Sequence, residues 1–553
     1  MHRALTSDEA AAANNRADLI PNRANYVPLS PLSFLWRSER AYGNKTAVID
    51  GERQLSYFAF AERVRKAAGF LRDLGVGHGH VVSVLAPNSI VLLEAHYAVP
   101  LAGALLNALN TRLDAAGIAY ILDHSQSGIL IVDEKLLAVA RDAVAQSSRA
   151  IRIIVAGEKA QARGQDLLDY EDGLLRSKPW IGTRGPAEEW DFIAVNYTSG
   201  TTGRPKGVVY HHRGAYLNAL GNALVLNLTA GSVFLWALPM FHCNGWTYTW
   251  AVTAVGGTHV CLRNVESVAL WRHIHRHAVT HICGAPIVLQ TILGAPGDIR
   301  TPLAHPVLVG TGGAPPPPSV LAEMEALGFR VIHLYGLTEV YGPATIAAEQ
   351  PDWKSQPLEV RAALAARQGV PLPTLEDARI ADPETGELLA PGGQSLGEVI
   401  LRSNTVMAGY LHDPAATQKA FRDGWFHTGD LGVQNPDGFI ELRDRLKDII
   451  ISGGENISSI EVEAALLAHP SIKDAAVVAA PHPKWGETPY AFVSIHPDGA
   501  APTTDELRQW CRTHLAHFKV PSRFIFASIE RTSTGKLQKH IWRDEARRLA
   551  ASD

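Results

Sequence analysis

The stretch "DFIAVNYTSGTTGRPKG", residues 191–207, is an apolar run of strand length that opens into a loop of small and polar residues. From Tyr197 to Gly207 it packs four serine or threonine hydroxyls, three glycines and two cations into eleven positions. Glycines let backbone N–H groups approach an anion closely, and Lys206 or Arg204 supplies charge, so the chemistry points to phosphate. The P-loop spacing is not met, because Pro205 separates Arg204 from Lys206 and Gly207 follows the lysine. Taken alone, the loop also reads as a surface turn. Its surroundings weigh against that. Apolar runs at "HVVSVLAP" (80–87), "SGILIVDE" (127–134) and "IRIIVAG" (151–157) alternate with helical patterns, as in a largely parallel α/β sheet. Open sheets of that kind hold their ligands just beyond strand ends, where this loop sits.

At 553 residues the chain is too long for one core. Its 46% hydrophobic and 19% charged residues fit a folded enzyme and exclude wholesale disorder. A net charge of −4 gives no footing for a nucleic-acid partner. Cys243, Cys261, Cys283 and Cys511 form no C-x-x-C pair, and a reducing cytoplasm is expected. "MHRALTSDEAAAANN" lacks the apolar centre of a signal peptide, and the final "LAASD" does not read as a peroxisomal tail. The most membrane-like run, Val91 to Leu109, carries Glu94, His96 and Pro100, so it reads as a buried helix interrupted near the proline rather than an integral membrane segment. Segment 397–443 reads as short antiparallel strands, and a new α/β pattern begins after "DRLKDIIISGGENIS", which places a boundary near Lys447. "APPPPSV" (314–320) reads as a loop leading into a helix.

Five motifs occur in order: "YTSGTTGRPKG", "TGGAP" (311–315), "YGLTE" (335–339), "TGD" (428–430) with "DRLKDIIISGGENIS" (444–458), and "TSTGKLQK" (532–539). On these the chain resembles the adenylate-forming superfamily of acyl-CoA synthetases, luciferases and peptide-synthetase adenylation domains, over nearly its whole length. The resemblance implies an α/β fold: a large N-terminal domain, 1–446, of parallel-rich sheets flanked by helices with a small β-barrel-like subdomain, then a small mobile α+β domain, 447–553. It implies ATP and Mg²⁺, with coenzyme A as co-substrate, and a homodimer.

By the same resemblance, Thr198, Ser199, Gly200, Thr201, Thr202, Gly203 and Lys206 cradle the β- and γ-phosphates. Glu339 is the Mg²⁺ ligand, a role suited to one carboxylate working with phosphates and waters. Tyr335 and Gly336 lie along adenine, Thr338 near the α-phosphate, and Gly312, Gly313, Ala314 and Pro315 permit close approach to adenine and the acyl group. Asp430 grips the ribose hydroxyls, since one carboxylate accepts two hydrogen bonds side by side. Arg445 adds a ribose or phosphate contact, or else pairs with Asp444 or Asp448. Lys447 is the hinge, and Gly453 and Gly454 line the pantetheine path. Lys536 meets the charge that gathers in adenylation. Glu530 and Arg531 stand where the family often has a proline and a basic residue.

Joining a carboxylate to ATP brings two anions together, so catalysis must be mostly positioning and charge neutralisation. His273, His275, His277 and His281 are close in sequence but lack metal-ligand spacing and read as helix-surface residues. In "PMFHCNGW", His242 stands where amino-acid adenylation domains carry an aspartate, which argues against α-amino acids; His242 instead resembles the aromatic gate beside the acyl pocket of acyl-CoA synthetases. Trp246, Tyr248 and Trp250 alternate, as if on one side of an extended or bent segment, or else are simply core; facing the pocket, Trp246 would shorten it. The resemblance is strongest to plant acyl-activating enzymes and bacterial methylthiopropionate- and medium-chain acyl-CoA ligases. The expected function is AMP-forming ligation of a short- to medium-chain or methylthio-type acid to coenzyme A; the alternative is an acyl-AMP ligase loading a separate carrier protein.

Overall fold

The computed structural model describes residues 21–157, 167–182, 185–198, 205–313, 318–393, 395–453, 455–496, 501–531 and 537–551. Two large sheets dominate. In the eight-stranded sheet the expected strands appear as Val81–Leu85, Ile129–Asp133, Arg152–Ala156 and Phe192–Thr198, parallel with Leu105–Ala108 and Leu167–Asp169. Phe192–Thr198 then pairs antiparallel with Lys206–His211, Thr198 facing Lys206 at the loop end of the hairpin. The other edge partner of Lys206–His211 comes from far along the chain, Gly409–Tyr410. The nine-stranded sheet is parallel through its centre and turns antiparallel at both ends, where Phe329–Leu337 meets Gly342–Ile346 and Thr46–Asp50 meets Arg53–Ser56.

One apolar cluster joins side chains of both sheets to the helices Tyr57–Asp73, Ile90–Leu101, His212–Val225 and Tyr248–Ala254. Ile90–Leu101 is buried nearly all round and apolar except for Glu94 and His96, as suits a helix enclosed on every side. It starts where the Ser89 side chain accepts the Leu92 N–H, and Pro100 lies in its last turn. Glu94, which the sequence sets against a membrane span, is wholly buried and paired with Arg63 and the Tyr170 hydroxyl. No helix among the described residues is long and apolar enough to cross a membrane. Separate clusters cover the outer faces of the two sheets, giving five layers.

Segment 397–445 supplies most of an antiparallel sheet with Asp377–Ala381, as expected. Beyond it, Ile450–Ser452 opens a five-stranded sheet with its own core, backed by Ser459–Leu467 and Thr504–His514. The chain thus changes sheets between residues 445 and 450. All four cysteines are buried and none forms a disulfide.

Two expectations change, and one alternative reading is not met. Trp246, Tyr248 and Trp250 do not alternate along an extended segment: Tyr248 and Trp250 lie on the Tyr248–Ala254 helix as core, Tyr248 stacked on Phe234, while Trp246 precedes it in a left-handed turn. His281 is not on a helix surface but buried in the strand His281–Gly284, its ring bonded to the Leu226 carbonyl. Arg445 pairs with Asp430 rather than with Asp444 or Asp448.

The two large sheets are joined beside the loop by Tyr210. Its hydroxyl donates to the Thr338 carbonyl at 2.6 Å and its ring stacks on Tyr341 at 3.9 Å. The Tyr341 N–H also reaches that carbonyl, so Tyr210→Phe should cost only about 1 kcal/mol. The measurement is the urea midpoint of the N-terminal unit, expected to fall with little change in slope.

Candidate active site

The Phe329–Leu337 strand ends in "YGLTE", and its last residues face two ways. Tyr335 is buried and donates its hydroxyl to Asp430 Oδ2 at 2.8 Å. Burial, reinforced by the Asp430 charge, holds the Tyr335 phenol well above its ordinary pKa, so it stays a donor. Asp430 Oδ1 lies 3.3 Å from Arg445 Nε, on the neighbouring strand directly opposite. Burial disfavours the Arg445 charge, but Asp430 and nearby anions outweigh it and raise its pKa. The result is a carboxylate fixed by a phenol and a guanidinium.

A single 3-10 turn, Thr338–Val340, follows. It ends at Tyr341 and Gly342, both in left-handed backbone with φ of 67° and 104°. A Cβ on Gly336 would come within 1.7 Å of the Gly342 carbonyl, so this reversal requires glycine. The turn presents Glu339, half-buried, whose Oε1 accepts the Tyr410 hydroxyl at 2.9 Å. Lys206, at the end of the hairpin strand, lies 4.9 Å from the centre of the Tyr410 ring and 3.5 Å from Asp413 Oδ2.

The segment expected to border the acyl group is built on backbone strain. Cys243, Asn244, Gly245, Trp246 and Thr247 have φ of 48°, 45°, 60°, 52° and 63°, a left-handed turn in which four residues carry side chains. Such backbone costs about 1–2 kcal/mol per non-glycine residue. Buried hydrogen bonds offset it. Asn196 Nδ2 donates to Asn244 Oδ1 at 2.6 Å and accepts the Asn244 N–H at 3.1 Å through its own Oδ1. Asn222 Nδ2 donates to the Trp246 carbonyl at 3.2 Å, and the Thr247 hydroxyl donates to Asn218 at 2.7 Å. His242, half-buried, begins the turn, and the Cys243 thiol reaches the Thr338 hydroxyl at 3.4 Å. Trp246 packs where a Cβ on Gly312 would be 3.1 Å from its ring and one on Gly342 within 3.0 Å. Glycines at both positions make room for the indole.

The structure therefore brings together Thr198, Lys206, His242, Trp246, Gly312, Tyr335, Gly336, Thr338 and Glu339, with Asp430 and Arg445 reached through Tyr335. Gly313 follows Gly312 in left-handed backbone at φ 104°. Lys447 lies on the link between sheets, its carbonyl accepting from Arg543 at 3.2 Å, and burial lowers its ammonium pKa to about 8. Gly453 belongs to the C-terminal sheet, its N–H donated to the Trp485 carbonyl at 2.8 Å. Ser199, Gly200, Thr201, Thr202, Gly203, Ala314, Pro315, Gly454 and Lys536 lie outside the described residues. The base of the Lys536 loop is described: Arg531 bridges Leu537 and pairs with Asp474 at 2.8 Å. Sequence reasoning missed Tyr410, Asp413 and Tyr210. "GYLHDP" (409–414) signals only a helix start, and Asp413 does cap the Pro414–Ala420 helix through Oδ1.

Among the described residues no three His, Cys, Asp or Glu side chains gather as a metal cage. Glu339 nevertheless suits Mg²⁺, which is commonly held by one or two carboxylates with substrate phosphates and waters.

The expected site residues thus gather between sheet ends beside a strained aromatic turn, and the chain belongs to the AMP-binding enzyme family. The model of that family matches residues 35–411, and that of the AMP-binding enzyme C-terminal domain matches residues 461–536. The chain is 43% identical to the peroxisomal acetate/butyrate–CoA ligase AAE7 of Arabidopsis thaliana, over 96% of this chain and 97% of that one. It is 44% identical to the 2-methylpropanoate–CoA ligase CCL4 of Humulus lupulus, over 97% and 98%. Its fold is similar to that of the Bacillus subtilis o-succinylbenzoate CoA synthetase. With the acyl-adenylate OSB-AMP bound, that structure gives a TM-score of 0.77 at 27% identity over 92% of this chain and 97% of that one. With ATP and magnesium bound it gives 0.78 at 26% over 92% and 98%.

Replacing Asp430 by Asn removes the charge from the expected ribose contacts. We expect AMP affinity to fall about 10- to 100-fold, the worth of charge-assisted hydrogen bonds. Titration calorimetry with AMP measures this, and unchanged binding would remove Asp430 from the nucleotide site.

Proposed function

We propose that the protein is an AMP-forming acid–thiol ligase that activates a short- to medium-chain carboxylic acid and transfers it to coenzyme A. The observation that carries this is the double use of "YGLTE": Tyr335 fixes Asp430 on one side while the next turn offers Glu339 beside Lys206 on the other. A ribose anchor and a phosphate-and-metal corner are thereby set a few residues apart.

In the first half-reaction a substrate carboxylate oxygen bonds to the α-phosphorus and the bond to the β-phosphate oxygen breaks, releasing pyrophosphate. In the second, the coenzyme A sulfur attacks the acyl carbonyl and AMP leaves. Asp430 and Arg445 hold the ribose end, Thr338 lies near the α-phosphate, and Lys206 with the 198–203 loop receives the β- and γ-phosphates. Mg²⁺, held by Glu339, would neutralise phosphate charge when bound. Lys536 brings its cation to the carboxylate and α-phosphate oxygens. This reading divides the chain into an adenylation domain, 1–446, and a mobile domain, 447–553, with the hinge at Lys447 and Gly453 and Gly454 on the coenzyme A path. The change of sheets between residues 445 and 450 supports that division.

Trp246, braced by Gly312 and Gly342 and flanked by His242, supports a short acyl pocket. The names of the relatives, for acetate, butyrate and 2-methylpropanoate, agree with small acids. A homodimer and a cytoplasmic location belong to the same proposal, although AAE7 is by its name peroxisomal.

The test is pyrophosphate and AMP release with ATP, Mg²⁺ and acids from acetate to palmitate, with and without coenzyme A. Sustained turnover only with coenzyme A, peaking among the shorter acids, is expected. Pyrophosphate release indifferent to coenzyme A would favour a carrier-protein acceptor. Lys536→Ala should lower adenylation at least about 100-fold, the scale of losing one preorganised charge-stabilising group. Trp246→Ala should move the chain-length optimum upward, and an unchanged profile would remove Trp246 from the pocket.

A further inference from the structure

Segment 406–411 passes between the hairpin strand that carries Lys206 and the turn that carries Glu339. The Met407 N–H donates to the Glu339 carbonyl at 2.8 Å, Ala408 N–H to Val209 at 2.8 Å and Leu411 N–H to Gly207 at 2.7 Å. Val406 offers its carbonyl to the buried His211 ring at 3.1 Å. The backbone of this segment thus ties both partners, and its one aromatic side chain, Tyr410, stands between them. Its ring faces the Lys206 ammonium at 4.9 Å while its hydroxyl donates to Glu339 at 2.9 Å.

A lysine and a glutamate facing one half-buried cleft attract each other, and their pairing would occupy both the metal carboxylate and the phosphate cation. Among the described residues they are not paired. Lys206 instead takes Asp413, with side chains about 35% and 40% exposed, an ion pair of the weak, solvent-screened kind that a phosphate can displace. Asp413 meanwhile stays fixed as a helix cap through its other oxygen.

We propose that Tyr410 is a positioning residue that separates Lys206 from Glu339 and aims each at its own ligand. Its ring spaces and holds the cation by cation–π attraction, and its hydroxyl orients the carboxylate toward the divalent ion. Asp413 holds Lys206 until phosphate arrives. This rests on the ligase reading above, which gives Lys206 and Glu339 their roles.

The test is ATP binding to the full-length protein by titration calorimetry, with Mg²⁺ and with EDTA, the ratio of the two affinities reporting how strongly metal assists the nucleotide. Tyr410→Phe keeps the ring and should leave metal-free affinity unchanged while reducing the ratio about tenfold, the usual scale for a residue that orients a metal ligand. Tyr410→Ala should abolish the metal effect, and adding Lys206→Met in that background should restore part of it by freeing Glu339. Thermal midpoints identify any variant that fails to fold, and Tyr410→Phe carries the test alone if Tyr410→Ala does. A wild-type ratio in Tyr410→Phe would overturn the orienting role, and no recovery on adding Lys206→Met to a folded Tyr410→Ala would overturn the spacer role. Wild-type protein that binds no ATP with Mg²⁺ would instead overturn the ligase reading, and this inference with it.

Discussion

The Tyr210 hydroxyl, fully buried and 2.6 Å from the Thr338 carbonyl, couples the two large sheets at the point where chemistry is expected. Tyr210 lies on the Lys206–His211 strand, and Thr338 on the turn that follows the Phe329–Leu337 strand of the other sheet. Stacking of Tyr210 on Tyr341, and the bond from the His211 N–H to the Tyr341 hydroxyl at 2.8 Å, lock the same joint. A cavity-forming change there alters the spacing between a cation and a carboxylate, because packed interiors transmit strain rather than absorb it.

From that joint the site grows by backbone geometry more than by side-chain choice. Gly336 must lack a Cβ because the Gly342 carbonyl lies against it, and Gly342 in turn leaves room for Trp246. Trp246 is held by a left-handed turn whose strain is offset by hydrogen bonds from or to Asn196, Asn218 and Asn222. Strained backbone persists where surrounding structure over-determines it, and such places cluster at functional sites. The indole is thereby a rigid wall. Rigid walls discriminate length better than adaptable ones.

Much of this was legible in the sequence, and the parts that were not have a common cause. Strand runs such as "SGILIVDE" and the loop after "DFIAVNY" follow from local hydrophobic pattern, which a buried parallel sheet imposes directly. The roles expected of Glu339 and Asp430 came from the family resemblance, and the structure gives them Tyr410 and Arg445 as neighbours. The pairing of Tyr410 with Glu339 spans 71 positions and has no local signature. The alternation of Trp246, Tyr248 and Trp250 suggested an extended or bent segment because period-two spacing carries no sign of a left-handed turn at residues other than glycine. His281 was grouped with its neighbours in sequence, yet the helix ends at Arg276 and the next strand begins at His281. Lys536 and most of the phosphate loop were assigned by motif and lie outside the described residues.

The account's central claim is that one cleft holds a ribose on Asp430 and an acyl group against Trp246. A crystal structure of the protein with an acyl-sulfamoyl adenosine, a stable mimic of the acyl-adenylate carrying a butyryl group, tests it most directly. The account predicts both ribose hydroxyls on Asp430 and the butyryl terminus in contact with the Trp246 indole. A ribose bound away from Asp430, or an acyl chain running past Trp246 into another part of the domain, would contradict it.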